Sequence, residues 1–301
     1  MPGVLFIFLD GVGIGPADPG VNPFFRASLP TFRLLLGDTL PSLEAPEVRQ
    51  REAFAFPLDA CLGMEGLPQS GTGHAAILTG ENAPEIYGRH FGPWVPVRLR
   101  PLVQEQNLLV RAQSRGARCI FANAYPREYH ESRWARRPAG PPLAAAAAGL
   151  MDRQAEALAR GEALSSEILN ATWRSHLGYQ DLPEISAPEA GANLARIAAQ
   201  ADLTFFAHYH TDYAGHGGSM AGAVEALERV DAFLMGLMDA LDPGILLVLA
   251  SDHGNVEDVR VGHTRNPSLA MLAGPGAGTH RKGLDDITHI PDLILKVLDG
   301  E

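Results

Sequence analysis

Three apolar runs in this chain each end in an aspartate, and that recurrence constrains the fold more than any other feature. Residues 245–250, Ile-Leu-Leu-Val-Leu-Ala, follow the turn residues Asp242-Pro243-Gly244 and lead through Ser251 into Asp252 and His253. A short run that is apolar at every position reads as a strand buried on both faces. Residues 4–9, Val-Leu-Phe-Ile-Phe-Leu, repeat the design and stop at Asp10, and residues 203–212 repeat it again with Asp212 at the end. Strands of this kind need helices above and below them. The sequence therefore predicts an α/β protein: a three-layer core with a mostly parallel central sheet flanked by helices. In an open parallel sheet, ligands bind in the crevice outside the strand carboxyl ends. That is where all three aspartates are expected.

The remaining stretches fit this plan. Residues 31–36 read as one or two helical turns, 42–59 as an edge hairpin, 102–115 as a helix ended by Gly116, and 117–122 as a further strand. Residues 189–200 and 224–241 carry apolar side chains three or four apart, as amphipathic helices do. A strand over 269–273 and a helix over 291–298 close the chain. Composition shifts between residues 126 and 188, where Arg136, Arg137, Pro138, Pro141, Pro142 and a five-alanine run at 144–148 precede a helical pattern over 151–164. This segment is predicted to be a small inserted cap lobe, with residues 1–125 and 189–301 forming the catalytic core.

With 46% apolar and 20% charged residues over 301 positions, the chain can bury a substantial core. A formal net charge of -11 argues against a protein that tracks nucleic-acid phosphates. No apolar run approaches the roughly 18 residues of a membrane span. The amino terminus lacks the basic region and cleavage site of a secretory signal, so the cytoplasm is the expected setting. Cys61 and Cys119 are far apart, form no CxxC, and suggest neither a zinc ribbon nor a disulfide framework. Nothing in the sequence addresses oligomeric state.

Taken singly, the polar residues carry little. An Asp-His pair is more often structural than functional, and a histidine on a buried strand is more often a satisfied core residue than a ligand. Gly11-Val-Gly-Ile-Gly15 is not a dinucleotide fingerprint, because Pro16 stands where the third glycine belongs. Ser70 sits where a loop gives way to a helix starting near Gly71. It reads equally well as an N-cap and as a nucleophile at a helix N-terminus, where an anion is favoured; Thr72 competes for the second role. Arg89, His90 and Arg265 are candidate substrate-binding cations, although a solvated surface is the commoner fate of such residues. Period two would place His208, His210 and Asp212 on one strand face. Spacing alone leaves open which of His208, His210 and His216 accompanies Asp212.

Taken together, they say more. Asp10, Asp212 and Asp252 end strands, and His216, His253 and His263 lie just beyond strand ends. Mixed carboxylate and imidazole donors suit Zn²⁺, Mn²⁺ or iron better than an all-oxygen cage for calcium or magnesium. Six such donors are too many for one zinc with an open position but suit two divalent ions sharing a site. Three carboxylates against two divalent cations leave about +1 locally, which lets an acidic chain bind a small anionic group.

Five motifs occur in order: Asp10-Gly, Ser70-x-x-x-His74, Asp212-x-x-x-His216, Asp252-His253-Gly-Asn255 and His263-Thr-x-x-Pro267. In these the chain resembles the alkaline phosphatase superfamily, closest in motif style to its cofactor-independent phosphoglycerate mutase and phosphopentomutase branch. The resemblance covers both halves of the core but not the insertion. It implies one Mn²⁺ or Zn²⁺ ion held by Asp212, His216 and His263, and a second held by Asp10, Asp252, His253 and the oxygen of Ser70. It also implies that Ser70 attacks phosphorus and becomes a phosphoserine. Mutases of this kind need a lobe that shields the phosphorylated intermediate from water. The insertion here is only about 60 residues, so the expectation is a two-metal phosphoric-ester hydrolase acting on a small phosphate ester, with a phosphomutase as the alternative.

Overall fold

The apolar runs are strands. The computed structural model describes residues 3–301, and its strands are β1 (Gly3–Leu9), β2 (Val48–Gln50), β3 (Ala53–Leu58), β4 (Cys119–Phe121), β5 (Leu203–His208), β6 (Ile245–Ala250) and β7 (Ser268–Ala273). They form one sheet in the order β2-β3-β7-β6-β1-β5-β4. β6, β1, β5 and β4 run parallel, while β7 is antiparallel to β6, β3 to β7 and β2 to β3. The β2–β3 pair is the edge hairpin that the sequence predicts.

Strand alternation divides the core in two. Val4, Phe6 and Phe8 of β1 point to one face with Phe56, Phe121 and Phe205. There they meet the helices Ser70–Thr79, Arg100–Gln106, Leu108–Ser114, Gly140–Ala147 and His289–Asp299. Leu5, Ile7 and Leu9 point to the other face, against Pro30–Leu36, Ala187–Ala198 and Met220–Ala240. Both faces of β1 are thus dry, which is why its sequence is apolar throughout. The last two helices approach to backbone contact. A Cβ at Gly191 would lie 2.0 Å from the Phe233 carbonyl oxygen, and one at Gly236 would lie 2.0 Å from that of Pro188.

Four sequence expectations are corrected. The helix expected over 102–115 is two helices, broken at Asn107, whose backbone is extended (ψ 158°) and whose side-chain oxygen accepts from the Leu109 and Val110 N–H groups. That side chain is a better cap than a helix-interior residue. The pattern over 151–164 yields only Ala155–Ala159 as helix. The strand expected over 203–212 stops at His208, and His210–His216 is a helix. His208, His210 and Asp212 therefore do not share a strand face. Lastly, Ser70 is the first residue of its helix, not the N-cap, and the helix has no side-chain cap. Within 126–188, Leu143, Ala144 and Ala145 lie in the main core. Ala157, Leu158, Ala163, Trp173 and Leu182 gather with Ala124 in a small cluster of their own. Among the described residues, no helix is long and apolar enough to cross a membrane.

Candidate metal centre

Topology explains the convergence of the aspartates. β1 lies between β5 and β6, all three parallel, so their carboxyl ends open side by side. Asp10 leaves β1, Asp252 leaves β6, and the helix after β5 carries Asp212 and His216 on adjacent turns. Asp-x-x-x-His is an i, i+4 pair, and its His216 Nε2 lies 3.4 Å from Asp212 Oδ2. The loop from β6 to β7 brings in His263, whose Nε2 is 3.1 Å from His216 Nε2 and 3.6 Å from Asp212 Oδ1. Ser70 arrives from the facing helix with its Oγ 3.0 Å from His253 Nε2. All seven predicted ligands thus meet in one place.

Two overlapping groups can be distinguished. One donor atom each from Asp10, Asp252 and His253 lies within 4.8 Å of the others, and the same holds for Asp212, His253 and His263. His253 belongs to both, and half-exposed His216 stands at the rim of the second. The floor of the site is dry: Asp10, Ser70, Asp252 and His253 are all buried. Among the described residues, the ion-pair contacts of the three aspartates are all to histidines, never to lysine or arginine. Asp10 Oδ1 and Asp252 Oδ2 are buried without a hydrogen-bond partner. Buried carboxylates in that condition are costly unless a cation meets them.

The electrostatics point the same way. Burial, followed by the carboxylates of Asp252 and Asp212, raises the Asp10 pKa well above the carboxylate range. Burial raises Asp252 to about 6. Asp212 goes the other way: burial pushes it up, but His263, His253 and the Asn255 amide together hold it well below the usual value. Burial, then neighbouring His263, lowers His253 to about 3, which keeps its imidazole neutral.

Hydrogen bonds also fix which ring nitrogen is free. His253 Nδ1 faces the Gly254 carbonyl at 3.3 Å and His263 Nδ1 faces that of Pro68 at 2.8 Å, so both Nδ1 atoms donate. In the neutral rings each Nε2 keeps a lone pair aimed into the cluster, the arrangement metal-ligating histidines adopt. Burial lowers the His263 pKa, but Asp212 outweighs it and raises it, so a cation competes with a proton there. His74 is the opposite case. Its Nδ1 accepts from the Gly140 N–H at 3.1 Å, so its Nε2 carries the proton. That Nε2 lies 3.4 Å from Asp10 Oδ2 and 3.5 Å from Asp252 Oδ2 but makes no hydrogen bond; it turns an N–H toward them, not a lone pair for a cation. The donor set and its tautomers fit divalent cations.

Of the other candidates, Thr72 is not placed as a nucleophile, since its hydroxyl donates to the Gln69 carbonyl at 3.2 Å. His90 and Arg265 come near one another, beside Cys61 and Asp59, and burial lowers the His90 pKa. Arg89 is exposed. His208 is fully buried, its Nδ1 2.9 Å from the Ser166 carbonyl oxygen, and does not accompany Asp212. Two residues of the site had no role in the sequence reading. Asn255 Nδ2 donates to Asp212 Oδ1 at 2.6 Å, and Glu257 is buried beneath the ligand loops. Only the position of Asn255, directly after Asp-His-Gly, marked it.

Comparison with known proteins follows the same line. A family model described as "Metalloenzyme superfamily" matches residues 1–289. The chain is 35% identical over 132 residues to the 2,3-bisphosphoglycerate-independent phosphoglycerate mutase of Paracoccus denitrificans, a match covering 40% of this chain and 25% of that protein. It is 36% identical over 132 residues to the mutase of the same name from Rhodopseudomonas palustris, covering 40% and 26%. The chain thus spans about a quarter of the length of the curated relatives it matches. Among solved structures, the PH0037 protein from Pyrococcus horikoshii superposes with a TM-score of 0.58 at 15% identity, covering 100% of this chain and 97% of that one. A cold-active alkaline phosphatase from Shewanella sp. gives 0.54 at 14% identity, covering 97% and 99%. At these identities the likeness is one of fold.

Proposed function

Because the chain belongs to the metalloenzyme superfamily, we propose that it is a two-metal phosphoryl-transfer enzyme that hydrolyses small phosphoric esters through a phosphoserine at Ser70. The observation that carries this reading is the placement of Ser70. Its hydroxyl opens a buried helix, 3.0 Å from the free nitrogen of His253, beside the unpartnered oxygens of Asp10 and Asp252. A serine hydroxyl is a weak nucleophile until something lowers its pKa or takes its proton.

Asp212, His216 and His263 would hold one cation; Asp10, Asp252, His253 and Ser70 Oγ would hold the other. Mixed oxygen and nitrogen donors favour Mn²⁺ or Zn²⁺. When bound, two such ions supply a lowered pKa at the serine oxygen and positive charge for both oxygens of an in-line displacement. The protein does the rest. The N-terminus of the Ser70–Thr79 helix favours the incoming anion. Ser70 Oγ gives its proton to solvent and forms a bond to phosphorus as the ester oxygen leaves and takes a proton from water. A second water then cleaves the phosphoserine to regenerate the hydroxyl and release phosphate. His74 would turn its Nε2–H toward the two inner carboxylates and favour their ionised form. His90 and Arg265 would contact the substrate's remaining polar groups, with exposed Arg89 as a weaker third candidate. Residues 126–188 would cover one edge of the site, tied to the core through the Gly140–Ala147 helix. The two free cysteines are in keeping with a cytoplasmic setting.

A mutase reading is favoured by the names of the curated relatives, over the quarter of their length that is matched. The short cover favours hydrolysis. The test is release of phosphate and alcohol from a phosphomonoester and a phosphodiester by metal-stripped protein supplied with Mn²⁺, Zn²⁺ or Mg²⁺. Metal-dependent release that falls at least about a thousandfold in Ser70→Ala supports the hydrolase. Release unaffected by Ser70→Ala refutes the nucleophile. Metal binding without release, together with phosphoryl movement within a sugar phosphate or phosphoglycerate, puts the mutase first.

A further inference from the structure

Glu257 lies outside the proposed ligand set, yet it is completely buried beneath it. Its carboxylate accepts four hydrogen bonds. Oε2 takes the backbone N–H groups of Gly13 at 3.0 Å and Asn255 at 2.7 Å. Oε1 takes the Thr264 hydroxyl and the Asn266 amide, the latter at 3.1 Å. Four donors occupy every lone-pair position of a carboxylate. The backbone is pressed onto the group as well: a Cβ at Gly13 would lie 2.4 Å from Glu257 Oε1, and one at Gly254 would lie 2.3 Å from the same atom. No room is left for a ligand or a water molecule.

The four donors come from two loops, the one that leaves β1 and the one that connects β6 to β7. Gly13 follows Asp10 by three residues, Asn255 follows His253 by two, and Thr264 follows His263 directly. Asn255 extends the network to the fourth ligand segment through its bond to Asp212 Oδ1. Ligands proposed for both cations are thus tied to one carboxylate whose partners lie up to 244 residues away in sequence.

We infer that Glu257 is a positioning residue that sets the spacing of the two metal sites by tying together the loops that carry Asp10, His253 and His263. The inference rests on the metal-site reading above. Glutamine at this position keeps the volume but turns an amide nitrogen toward two of the four partners. Facing Gly13 and Asn255 it loses both bonds; facing Thr264 and Asn266 it loses the Asn266 bond and keeps the other only if the Thr264 hydroxyl turns to accept.

The test is Mn²⁺ titration of the metal-stripped 301-residue chain by calorimetry, repeated with Zn²⁺. Wild type is compared with Glu257→Gln and Thr264→Val, with thermal unfolding and amide hydrogen exchange measured on the metal-free forms. In folded Glu257→Gln, metal affinity is expected to fall about 10- to 100-fold, with faster exchange at Gly13 and Asn255. Thr264→Val removes one donor and lowers affinity by a smaller factor. If the folded glutamine variant is merely less stable and both variants bind metal within twofold of wild type, the inference is overturned. If Glu257→Gln does not fold, Thr264→Val decides: unchanged affinity overturns the inference, and reduced affinity supports it. Wild type that binds neither metal overturns the metal-site reading itself, and this inference with it.

Discussion

Asp252→Asn should make the metal-free protein more stable while removing the response of one of its two cation sites to metal. Asp252 is fully buried, and burial raises its pKa from 3.8 to about 6. A carboxyl whose folded pKa is raised favours the folded state only while protonated. The stability it contributes is complete below pH 3.8 and is lost as pH rises through about 6. A shift of this size corresponds to about 3 kcal/mol at pH 8, and to about half that at pH 5, where ionisation of the unfolded chain is only partly opposed. Asparagine has the same shape, keeps an oxygen for the Gly11 N–H at 3.3 Å, and carries no charge. Urea unfolding in excess chelator should therefore show the variant more stable by about 3 kcal/mol at pH 8, with the gap narrowing toward pH 4. At the site Asp252 serves, free Mn²⁺ at 100 times the dissociation constant should stabilise wild type by about 2.7 kcal/mol; the variant loses that share and keeps only the response of the Asp212, His216 and His263 site. A variant no more stable than wild type in chelator, with no dependence on pH, would refute the claim that Asp252 is held ionised at a cost which a cation relieves.

Two further predictions concern acidity and packing. Mn²⁺ affinity, followed by titration from pH 8 downward, should fall as pH drops through about 6, because Asp252 then holds a proton that the ion must displace. A flat profile over that range contradicts the placement of Asp252 in the ligand set. Gly236→Ala should destabilise the protein by about 1–3 kcal/mol, since the added methyl would meet the Pro188 carbonyl oxygen at 2.0 Å. Chemical denaturation checks it, and an unchanged midpoint would show that the two helices separate without cost.

What could be read from the sequence follows from how local each signal is. β1 and β6 are legible because a strand buried on both faces can be apolar at every position, whatever its neighbours; β5 shows the same signal interrupted by Thr204 and His208. Asp10 and Asp252 stand out because a carboxylate closing such a run has no packing role, whereas Asp212 lies in the helix after β5. The partner of Asp212 was not legible by periodicity. The segment His210–His216 is too short and too polar to declare a helical period, so period two looked as plausible as one helical turn. Asn107 broke an expected helix because its side chain caps the second half. The distinction between His74 and the histidines with a free Nε2 rests on backbone partners at Gly140, Gly254 and Pro68. The partners of His74 and His263 lie far away in sequence, so spacing could not supply them. Glu257 has one such distant partner, Gly13, and its nearer ones at Asn255, Thr264 and Asn266 carry no periodic signal.

The account's central claim is that Ser70 becomes phosphorylated during turnover. Metal-loaded protein would be mixed with a phosphomonoester, quenched in acid within a turnover, and digested for mass spectrometry. The account predicts a phosphoryl group on the peptide containing Ser70, present with Mn²⁺ or Zn²⁺ and absent from both metal-stripped protein and Ser70→Ala. Metal-dependent turnover with no phosphoryl group on Ser70 at any quench time would contradict it.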